Sequence, residues 1–143
     1  MASKFTCKLV TPTRQLLDRE AVYVCLPAWD GLIGIQPGRA PIVARLGSGE
    51  LLVRVLDDDG RPTERSFFVA SGFAKMAGGE LTVLAEDAAP AEELNEVEEQ
   101  KALSEAEGLP MPEDAKGRDD RRSRIHAAKT RVQLAKGSKA KGI

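Results

Sequence analysis

Residues that commonly carry out chemistry are few in this chain, and their spacing fits no catalytic site. Three glycines occur between Asp30 and Pro41, but no Gly-Lys-Ser or Gly-Lys-Thr follows them, as a phosphate-binding P-loop requires. The run Asp57–Asp59 lacks the spaced ligands and the glutamate of an EF-hand calcium loop. His126 is the only histidine, so no second imidazole is available to bind zinc. No Ser or Cys in a nucleophile context accompanies it for catalysis. The sequence therefore predicts no catalytic residue, no metal site and no cofactor; a small hydrolase is the enzyme alternative.

The two cysteines, Cys7 and Cys25, lie in separate strand-like segments without Cys-x-x-Cys spacing. This arrangement favours reduced, packed thiols in a cytosol-like compartment. No apolar run approaches the roughly 20 residues that cross a bilayer. The first residues contain neither a signal-peptide core nor a long Arg/Ser-rich presequence. We therefore expect a soluble protein that meets a membrane only through a partner.

Charge is concentrated in two opposed segments, although the formal net charge is only −1. Glu92 to Asp114 include nine acidic residues and one lysine, whereas Lys116 to Lys141 include ten Lys or Arg and two Asp. A basic segment can bind nucleic acid through its phosphates, but this one lacks interleaved aromatic residues and is balanced by the acidic segment. The pattern favours two helices of opposite charge docked antiparallel over nucleic-acid binding.

Alternation of apolar and polar residues with period two dominates the chain up to about Ala89. Such alternation is typical of strands with one buried face. Asp59-Gly60 and Gly78-Gly79 can supply the positive φ that hairpin turns need. Many short strands with regular turns predict a sandwich or barrel, and we expect an N-terminal antiparallel β-sandwich. The predicted strands are Phe5–Leu9, Val22–Leu26, Leu51–Leu56, Ser66–Ala70, Phe73–Ala77 and Leu81–Leu84.

After Pro90 the sequence becomes charged and alanine-rich, and a C-terminal α-helical hairpin is predicted. The first helix is expected from Pro90 to Glu107. The second is expected to begin at a cap formed by Asp119 or Asp120 and to end at Gly137. The first helix has a weak apolar stripe of Leu94, Ala102, Ala106 and Leu109, and the second has a stripe of Ile125, Ala128, Val132 and Ala135.

These patterns divide the chain into a sandwich domain at residues 1–89, a helical hairpin at 90–137 and a Lys/Gly/Ser-rich disordered tail at 138–143. Burial of Ile125 or Val132 would contribute about 1.5–3 kcal/mol each, and exposed ion pairs only about 0–1 kcal/mol. Ordering the arm costs conformational entropy that offsets these gains. We therefore expect a marginally held hairpin that can detach and dock elsewhere.

Several motifs occur in an order that resembles the ε subunit family of rotary F-type ATP synthases. The most distinctive is Asp30–Pro41, DGLIGIQPGRAP, which is similar to the DG-xx-G-xx-PG-HAP loop of that family. The family's TP turn, leucine-glycine segment, GGF-like turn and VTVLAE-like strand are matched by Val10-Thr11-Pro12, Leu46–Gly49, Ser71-Gly72-Phe73 and Leu81–Glu86. The resemblance covers about residues 5 to 90, and the hairpin matches in architecture only.

In that family the loop faces the polar loops of the membrane-embedded c-ring, and one sandwich face packs on the γ subunit. The resemblance therefore implies c-ring contacts for Asp30, Gly38, Arg39, Ala40 and Pro41. Glycine permits close backbone approach and proline stiffens the chain, which suits an exposed binding loop between strands.

Three positions depart from the family pattern. Arg39 replaces the usual histidine, Leu32 replaces a frequent acidic residue, and Ser71 replaces a second glycine. The first two changes make the loop more positive, so we expect carboxylates on its ring partner. A pH-sensitive role does not transfer to Arg39, because a guanidinium does not titrate near neutral pH.

The resemblance also implies a regulatory hairpin, which in the family can extend along γ and block ATP hydrolysis. The expected regulatory cations are Arg122, Arg124, Lys129 and Arg131. Some family members bind ATP through an Ile/Leu-Asp-x-x-Arg-Ala motif followed by another arginine, which would assign weak nucleotide contacts to Arg124 and Arg131. Arg121 falls on the motif aspartate and Ile125 on its alanine, so a solvated basic face is the favoured interpretation.

These observations predict a non-catalytic central-stalk subunit of a proton-translocating ATP synthase that couples c-ring rotation to ATP synthesis. The expected partners are γ, the c-ring and, when the hairpin extends, the catalytic α/β head. The expected location is the cytoplasmic face of a bacterial plasma membrane, with a plastid thylakoid as the alternative. The alternative function is a free-standing β-sandwich whose basic tail binds nucleic acid or an acidic protein.

Overall fold

The computed structural model describes residues 3–141, with side chains placed up to Gly137. The chain divides into two compact units, Met1–Pro90 and Ala91–Ile143. The described part of the first unit contains the strands β1 (Phe5–Val10), β2 (Gln15–Ala28), β3 (Gly31–Ile35), β4 (Ile42–Arg45), β5 (Gly49–Leu56), β6 (Pro62–Ala77) and β7 (Glu80–Pro90). The second contains one 3-10 turn (Ala91–Glu93) and two helices, α1 (Glu96–Glu107) and α2 (Ala115–Lys141).

The strands of the first unit hydrogen-bond in the order β1-β7-β6-β5-β2-β3, and β4 pairs with β6. Because β1 also pairs with β2, the sheet closes on itself. The pairing of β1 with β7 is parallel, and the other pairings are antiparallel. The result is a sandwich-like β unit followed by a helical hairpin, so the predicted fold class is confirmed.

The core of the first unit is built from alternate residues of these strands. In β1, Phe5, Cys7 and Leu9 are buried, and the residues between them are only half-buried. β5 alternates in the same way, with Leu51 and Val53 fully buried. Each such apolar side chain contributes about 1.5–3 kcal/mol when it leaves water. The period-two pattern of the sequence therefore identified the inward face of these strands.

β6 passes through a kink that joins two predicted strands, Ser66–Ala70 and Phe73–Ala77, into one. At the kink Ser71 has φ 62° and Gly72 has φ 111°. A Cβ on Gly72 would lie 1.9 Å from the carbonyl oxygen of Leu84, so only glycine fits there. Core residues occupy odd positions before the kink and even positions after it: Phe67, Val69, Ala74 and Met76. The kink thereby exchanges the inward and outward faces of β6.

The two predicted hairpin turns are confirmed by positive φ values. Gly60 has φ 79°, and Gly78-Gly79 have φ 57° and 76°. Asp57 stabilises the first turn, because its carboxylate accepts backbone N–H bonds from Asp59 at 2.9 Å and from Arg61 at 2.8 Å. The aspartate run at this turn therefore satisfies backbone donors, as in an Asx-turn.

α1 begins at Glu96, later than predicted. Pro90 still belongs to β7, where it pairs with Phe67. The helix is capped by Asn95, whose side-chain oxygen accepts a hydrogen bond from the Glu98 backbone N–H at 3.1 Å. The predicted helix start at Pro90 is wrong because the strand ladder continues through that residue and Asn95 supplies a stronger helix start.

The buried face of the hairpin agrees with the prediction in α2 but differs in α1. In α1 Leu103 is buried, whereas Ala102 and Leu109 of the predicted stripe are exposed. An alanine offers little apolar area, so the leucine decides which face is buried. In α2 the predicted stripe is confirmed as buried or half-buried: Ile125, Ala128, Val132 and Ala135.

α2 begins at Ala115, one residue after its cap. The carboxylate of Asp114 accepts the backbone N–H of Gly117 at 3.1 Å. A Cβ on Gly117 would lie 2.5 Å from that carboxylate oxygen, so the glycine leaves room for the cap. The predicted cap at Asp119 or Asp120 is wrong, because both residues already lie inside the helix.

The far end of α2 lies at Lys141, so the predicted helix end at Gly137 is wrong. A single glycine weakens a helix by about 1 kcal/mol relative to alanine, and the Lys and Ala residues that follow are good helix formers. Of the predicted disordered tail at 138–143, residues 142 and 143 lie outside the described residues.

Candidate functional site

The connection between β3 and β4, residues 36–41, contains four of the five predicted ring-contact residues. Gly38, Arg39, Ala40 and Pro41 lie in this connection, which we call the β3–β4 loop. Asp30 lies at the opposite end of β3, which has five residues and therefore spans about 17 Å. The predicted single loop from Asp30 to Pro41 is wrong, because its middle part pairs with β2 as a strand.

A tight turn fixes the tip of the β3–β4 loop. The backbone N–H of Arg39 donates to the carbonyl of Gln36 at 3.2 Å, and Gly38 has φ 81°. Proline at the second position and a positive-φ glycine at the third are the requirements of a type II turn. The exposed Arg39 therefore projects from a turn of defined conformation. Its side chain makes no ion pair or hydrogen bond with another described residue.

A cleft of about 620 Å³ lies beside the β3–β4 loop and extends along it to Tyr23 and Gly34. A Cβ on Gly34 would lie 3.1 Å from the Tyr23 hydroxyl, so the absence of a side chain makes room for the ring. On the same tyrosine, the Arg54 guanidinium lies 5.6 Å from the ring centroid and pairs with Glu64 at 3.2 Å. The sequence prediction missed Tyr23, because its partners come from other strands.

A row of apolar side chains crosses the outer face of the first unit. Strand register places Phe73 directly opposite Leu84, and Leu84 directly opposite Val10. Phe73 is 56% exposed and Leu84 is 54% exposed. Arg45 lies opposite Phe73 at one end of the row, and the exposed Val43 lies on the same strand, β4. We call Val10, Phe73 and Leu84 the outer apolar row.

Apolar side chains this large and adjacent on a surface commonly mark an interaction site. The row exists because the β6 kink turns Phe73 outward after Phe67 and Val69 point inward. Period two by itself gives no sign of that reversal. The signal in the sequence was Ser71-Gly72, where the backbone could leave regular strand geometry.

The Cys7 thiol is buried and poorly reactive, and the described residues contain no metal-binding cluster. Burial, with a smaller contribution from the nearby Asp18 charge, raises the pKa of the Cys7 thiol to about 12. Cys7 and Cys25 are both free, and a thiol with so high a pKa is not nucleophilic near neutral pH. Between residues 3 and 141, no three His, Cys, Asp or Glu side chains converge as a metal site. No helix in the same range combines the length and apolar character needed to span a bilayer.

The predicted regulatory cations of α2 have different surroundings. Arg131 joins the two helices: its Nε and Nη2 donate to the two carboxylate oxygens of Glu99 at 2.8 and 3.0 Å. Arg122 pairs with Asp119 of its own helix at 3.6 Å. Arg124 and Lys129 are exposed. One of the four therefore holds the hairpin together, and the other three face solvent at least in part.

The two weak nucleotide candidates both belong to α2. Arg124 and Arg131 lie seven residues apart on α2, so about two helical turns separate them along the axis. Arg131 is already engaged by Glu99 in a two-point contact. Nucleotide binding by this pair remains a prediction.

The profile of a known family, described as ATP synthase, Delta/Epsilon chain, beta-sandwich domain, matches residues 4–91. The chain belongs to this family. The resemblance inferred from the loop and turn motifs is thereby confirmed. The matched residues include β1 to β7 of this delta/epsilon chain, and its two helices lie beyond the matched range.

Individual relatives extend the similarity of this delta/epsilon chain into its hairpin. It is 41% identical to the ATP synthase epsilon chain of Rhodopirellula baltica over 115 residues, which cover 79% of this chain and 86% of the relative. It is 34% identical to the ATP synthase epsilon chain 2 of Ralstonia nicotianae over 130 residues, or 91% of this chain and 85% of the relative.

The fold of the delta/epsilon chain also occurs in a solved structure. A chain of the Euglena gracilis mitochondrial ATP synthase, determined by cryo-EM in an assembly of OSCP, F1 and c-ring, superposes with a TM-score of 0.74. The alignment covers 90% of this chain and 79% of the other, at 20% identity. This likeness supports the fold.

Proposed function

We propose that this delta/epsilon chain is a non-catalytic central-stalk subunit of a proton-translocating ATP synthase, which couples c-ring rotation to ATP synthesis. The observation that carries the proposal is the family match across the sandwich unit, together with relatives named ATP synthase epsilon chain over most of this chain. The alternative of a free-standing nucleic-acid-binding module is not favoured, because neither the family nor these relatives have that description.

The outer apolar row is suited to the γ subunit. Phe73 and Leu84 leave more than half of their side-chain surface in solvent, and burying it against a partner would be favourable at about 25 cal/mol per Å². Arg45 at the edge of the row adds a polar rim, which is the usual arrangement around an apolar interface centre. A stalk subunit needs such a stable contact, because torque passes through it.

The β3–β4 loop is suited to the c-ring. Its type II turn presents Gly38, Arg39, Ala40 and Pro41 from a backbone of set shape, so little entropy is lost when a partner binds. Arg39 is the only charged residue between Gln36 and Pro41, so a carboxylate on the ring is the complementary group. Asp30, at the other end of β3, would contact the ring only if the contact extends along that strand.

The γ contact can be tested by copurification of the tagged full-length chain with γ. The double variant Phe73→Asp, Leu84→Asp should lose γ, because two carboxylates would replace the apolar row. The matched control is Val97→Asp, since Val97 on α1 is 78% exposed and lies outside the row. Retention of γ by the double variant, or equal loss by the control, would exclude this face.

The ring contact can be tested by proton pumping in the assembled synthase. Gly38→Val should reduce ATP-driven pumping while ATP hydrolysis and assembly persist, because a branched side chain cannot hold φ 81° and the turn must change. The matched control is Gly60→Val, at φ 79° in the β5–β6 turn with equally open surroundings. Coupled pumping at the normal rate in the Gly38 variant would contradict the assignment of this loop.

The hairpin is proposed to restrain ATP hydrolysis when it extends toward acidic surfaces of the catalytic head. Its cations Arg124 and Lys129 are exposed, whereas Arg122 would have to leave Asp119 and Arg131 would have to leave Glu99. Neutralising Arg122, Arg124 and Arg131 to glutamine should raise hydrolysis by the assembled enzyme. Glu99→Gln serves as the control, because it breaks the same ion pair without removing a cation. Unchanged hydrolysis in the triple variant would argue against inhibition by these residues.

The subunit is peripheral to a membrane-bound complex, and its proposed location is the cytoplasmic face of a bacterial plasma membrane. The bacterial relatives Rhodopirellula baltica and Ralstonia nicotianae support this location. In cell fractions, the chain should be recovered with the other synthase subunits in the membrane fraction. Recovery of the chain apart from those subunits would contradict this location.

A further inference from the structure

A cavity of about 370 Å³ lies in the second unit, between the α1–α2 connection and the first turns of α2. This volume is roughly twelve times the ~30 Å³ that a water molecule occupies in the liquid, so it admits a small polyanion. The cavity is lined by Met111, Arg118, Arg121, Arg122, Ile125, His126 and Lys129. No lining residue is acidic, so positive charge dominates the cavity.

The arginines of this cavity repel one another in the absence of an anion. Arg118 and Arg122 are four residues apart on α2, a spacing at which like charges destabilise a helix. Arg118 lies at the end of the first turn of α2, where the helix dipole still favours negative charge, and its guanidinium donates to the backbone carbonyl of Glu113. Among the described residues, these arginines have one ion pair, between Arg122 and Asp119, whose side chains are 3.6 Å apart and largely exposed. An exposed pair offsets little of this repulsion.

Arg121 adds an unsatisfied donor. Its Nη2 donates to the backbone carbonyl of Glu107 at 3.0 Å, which holds the guanidinium against the end of α1. Its Nε is buried and has no hydrogen-bond partner among the described residues. Buried polar groups in native proteins nearly always have a partner, and an orphan often indicates a bound ion or water.

We propose that this cavity binds a phosphate-bearing anion, either free pyrophosphate or the headgroup of an acidic lipid. Arg118, Arg121 and Arg122 supply the charge-assisted donors that phosphate oxygens accept. Met111 and Ile125 form the apolar part of the wall, and Met111 itself is exposed. The site uses none of the residues of the outer apolar row or the β3–β4 loop, but it shares Arg122 and Lys129 with the proposed regulatory cations. The tests below use the isolated chain, so their failure is distinguishable from failure of the proposed function.

The first test is titration of the full-length chain with pyrophosphate by calorimetry, at ionic strength held constant with sodium chloride. Saturable binding is expected. The double variant Arg121→Gln, Arg122→Gln should weaken it at least tenfold, because two guanidinium groups are removed. The matched control is Arg124→Gln, on the same helix but outside the cavity, and its affinity should stay within about twofold of the unaltered chain.

A second variant covers the case in which loss of Arg121 unfolds the hairpin. Arg118→Gln, Lys129→Gln leaves the Arg121–Glu107 contact intact and should still weaken pyrophosphate at least threefold, with the helical circular dichroism unchanged. Absence of saturable binding at millimolar pyrophosphate, together with no phosphatidic-acid-dependent sedimentation in the vesicle test below, would overturn the proposal. Equal weakening by Arg124→Gln would also overturn it, because the effect would then reflect general charge.

Vesicles distinguish the two sources of phosphate. The chain is sedimented with phosphatidylcholine vesicles that contain, or lack, phosphatidic acid. Sedimentation that depends on phosphatidic acid and is lost in the Arg121, Arg122 variant would assign the site to a lipid headgroup. Pyrophosphate binding without such sedimentation would assign it to a soluble anion. Failure of both probes would refute the site.

Discussion

In the sandwich unit, most of the large buried side chains are Leu, Val and Phe residues of paired strands, many without any exposed surface. In the hairpin unit, the buried side chains are fewer, and several retain slight exposure. Those of the described residues are Ala91, Leu103, Val132, Leu134 and Ala135. The two units of one chain thus differ in how much apolar area holds each of them together.

Polar contacts matter more for the stability of the hairpin than for that of the sandwich. The hairpin relies on the Glu99–Arg131 ion pair, the Arg121 bond to Glu107 and the side-chain cap of each helix. Such contacts contribute about 1 kcal/mol each after exchange with water. A unit held in this way opens locally at low free energy, whereas the sandwich opens only when its core does. The difference suits a fixed stalk contact and a movable arm.

The largest expected effect comes from Gly72→Ala in the sandwich. The added Cβ would lie 1.9 Å from the Leu84 carbonyl oxygen, and the residue has φ 111°, so the strand must move and the loss of stability should exceed about 4 kcal/mol. Gly78→Ala is the control, because it has positive φ but open surroundings and should lose only about 1 kcal/mol. Urea unfolding monitored by circular dichroism measures both. Equal losses would show that the kink tolerates a side chain.

The next prediction compares the same substitution in the two units. Leu51→Ala removes a fully buried sandwich side chain and should lower the free energy of unfolding by about 2–5 kcal/mol. Leu103→Ala in α1 should increase amide hydrogen exchange in the hairpin and leave sandwich amides unchanged. Amide exchange measured by NMR shows which unit each of the two substitutions destabilises. Faster exchange throughout the sandwich in the Leu103 variant would show that the units unfold together.

A smaller effect is expected from Glu99→Gln. The change weakens a half-buried, two-point contact to Arg131 and should destabilise the hairpin by about 1–2 kcal/mol. Glu98→Gln is the matched control, since the exposed Glu98 side chain is one position away on the same helix. Amide exchange of α1 is the measurement, and faster exchange is expected only in the Glu99 variant. No difference between the variants would mean that apolar contacts alone hold the hairpin.

The smallest effect is a gain of stability from Ser71→Gly. Ser71 has φ 62°, a conformation that costs a non-glycine residue about 1–2 kcal/mol. Glycine removes this cost, but it also gives the unfolded chain more conformational freedom, which cancels part of the stabilisation. A net gain below about 1 kcal/mol is expected in urea unfolding. Ser66→Gly, in the regular ladder with β5, should instead lose stability. A loss in both variants would show that the Ser71 side chain contributes more than its backbone strain costs.

Much of the fold could be predicted because its signals are local. The alternation in β1 and β5 and the hairpin glycines at 60, 78 and 79 report backbone conformation and burial at their own positions. The helix ends were predicted less well. Pro90 was assigned to a helix because the charged, alanine-rich composition begins there, whereas pairing with Phe67 of a distant segment keeps it in β7.

The candidate site could be predicted in part. Gly38 to Pro41 were recognised as one loop, because glycine and proline specify a turn from their own backbone preferences. Asp30 was wrongly placed on the same loop, since the pairing of β3 with β2 depends on residues from another part of the chain. Tyr23 was missed for the same reason, because only the fold brings it beside Gly34.

The sequence by itself determined the β-then-α order of the chain, the hairpin turns, the motifs of its family and the absence of a recognisable catalytic set. These properties depend on residue type and on periods of a few residues. Only the tertiary structure decided that β6 kinks at Ser71-Gly72, that Phe73 and Leu84 share an exposed row, and that Arg121 leaves a buried donor unpaired. Each of these depends on register or contact between segments far apart in the chain, which no local pattern records.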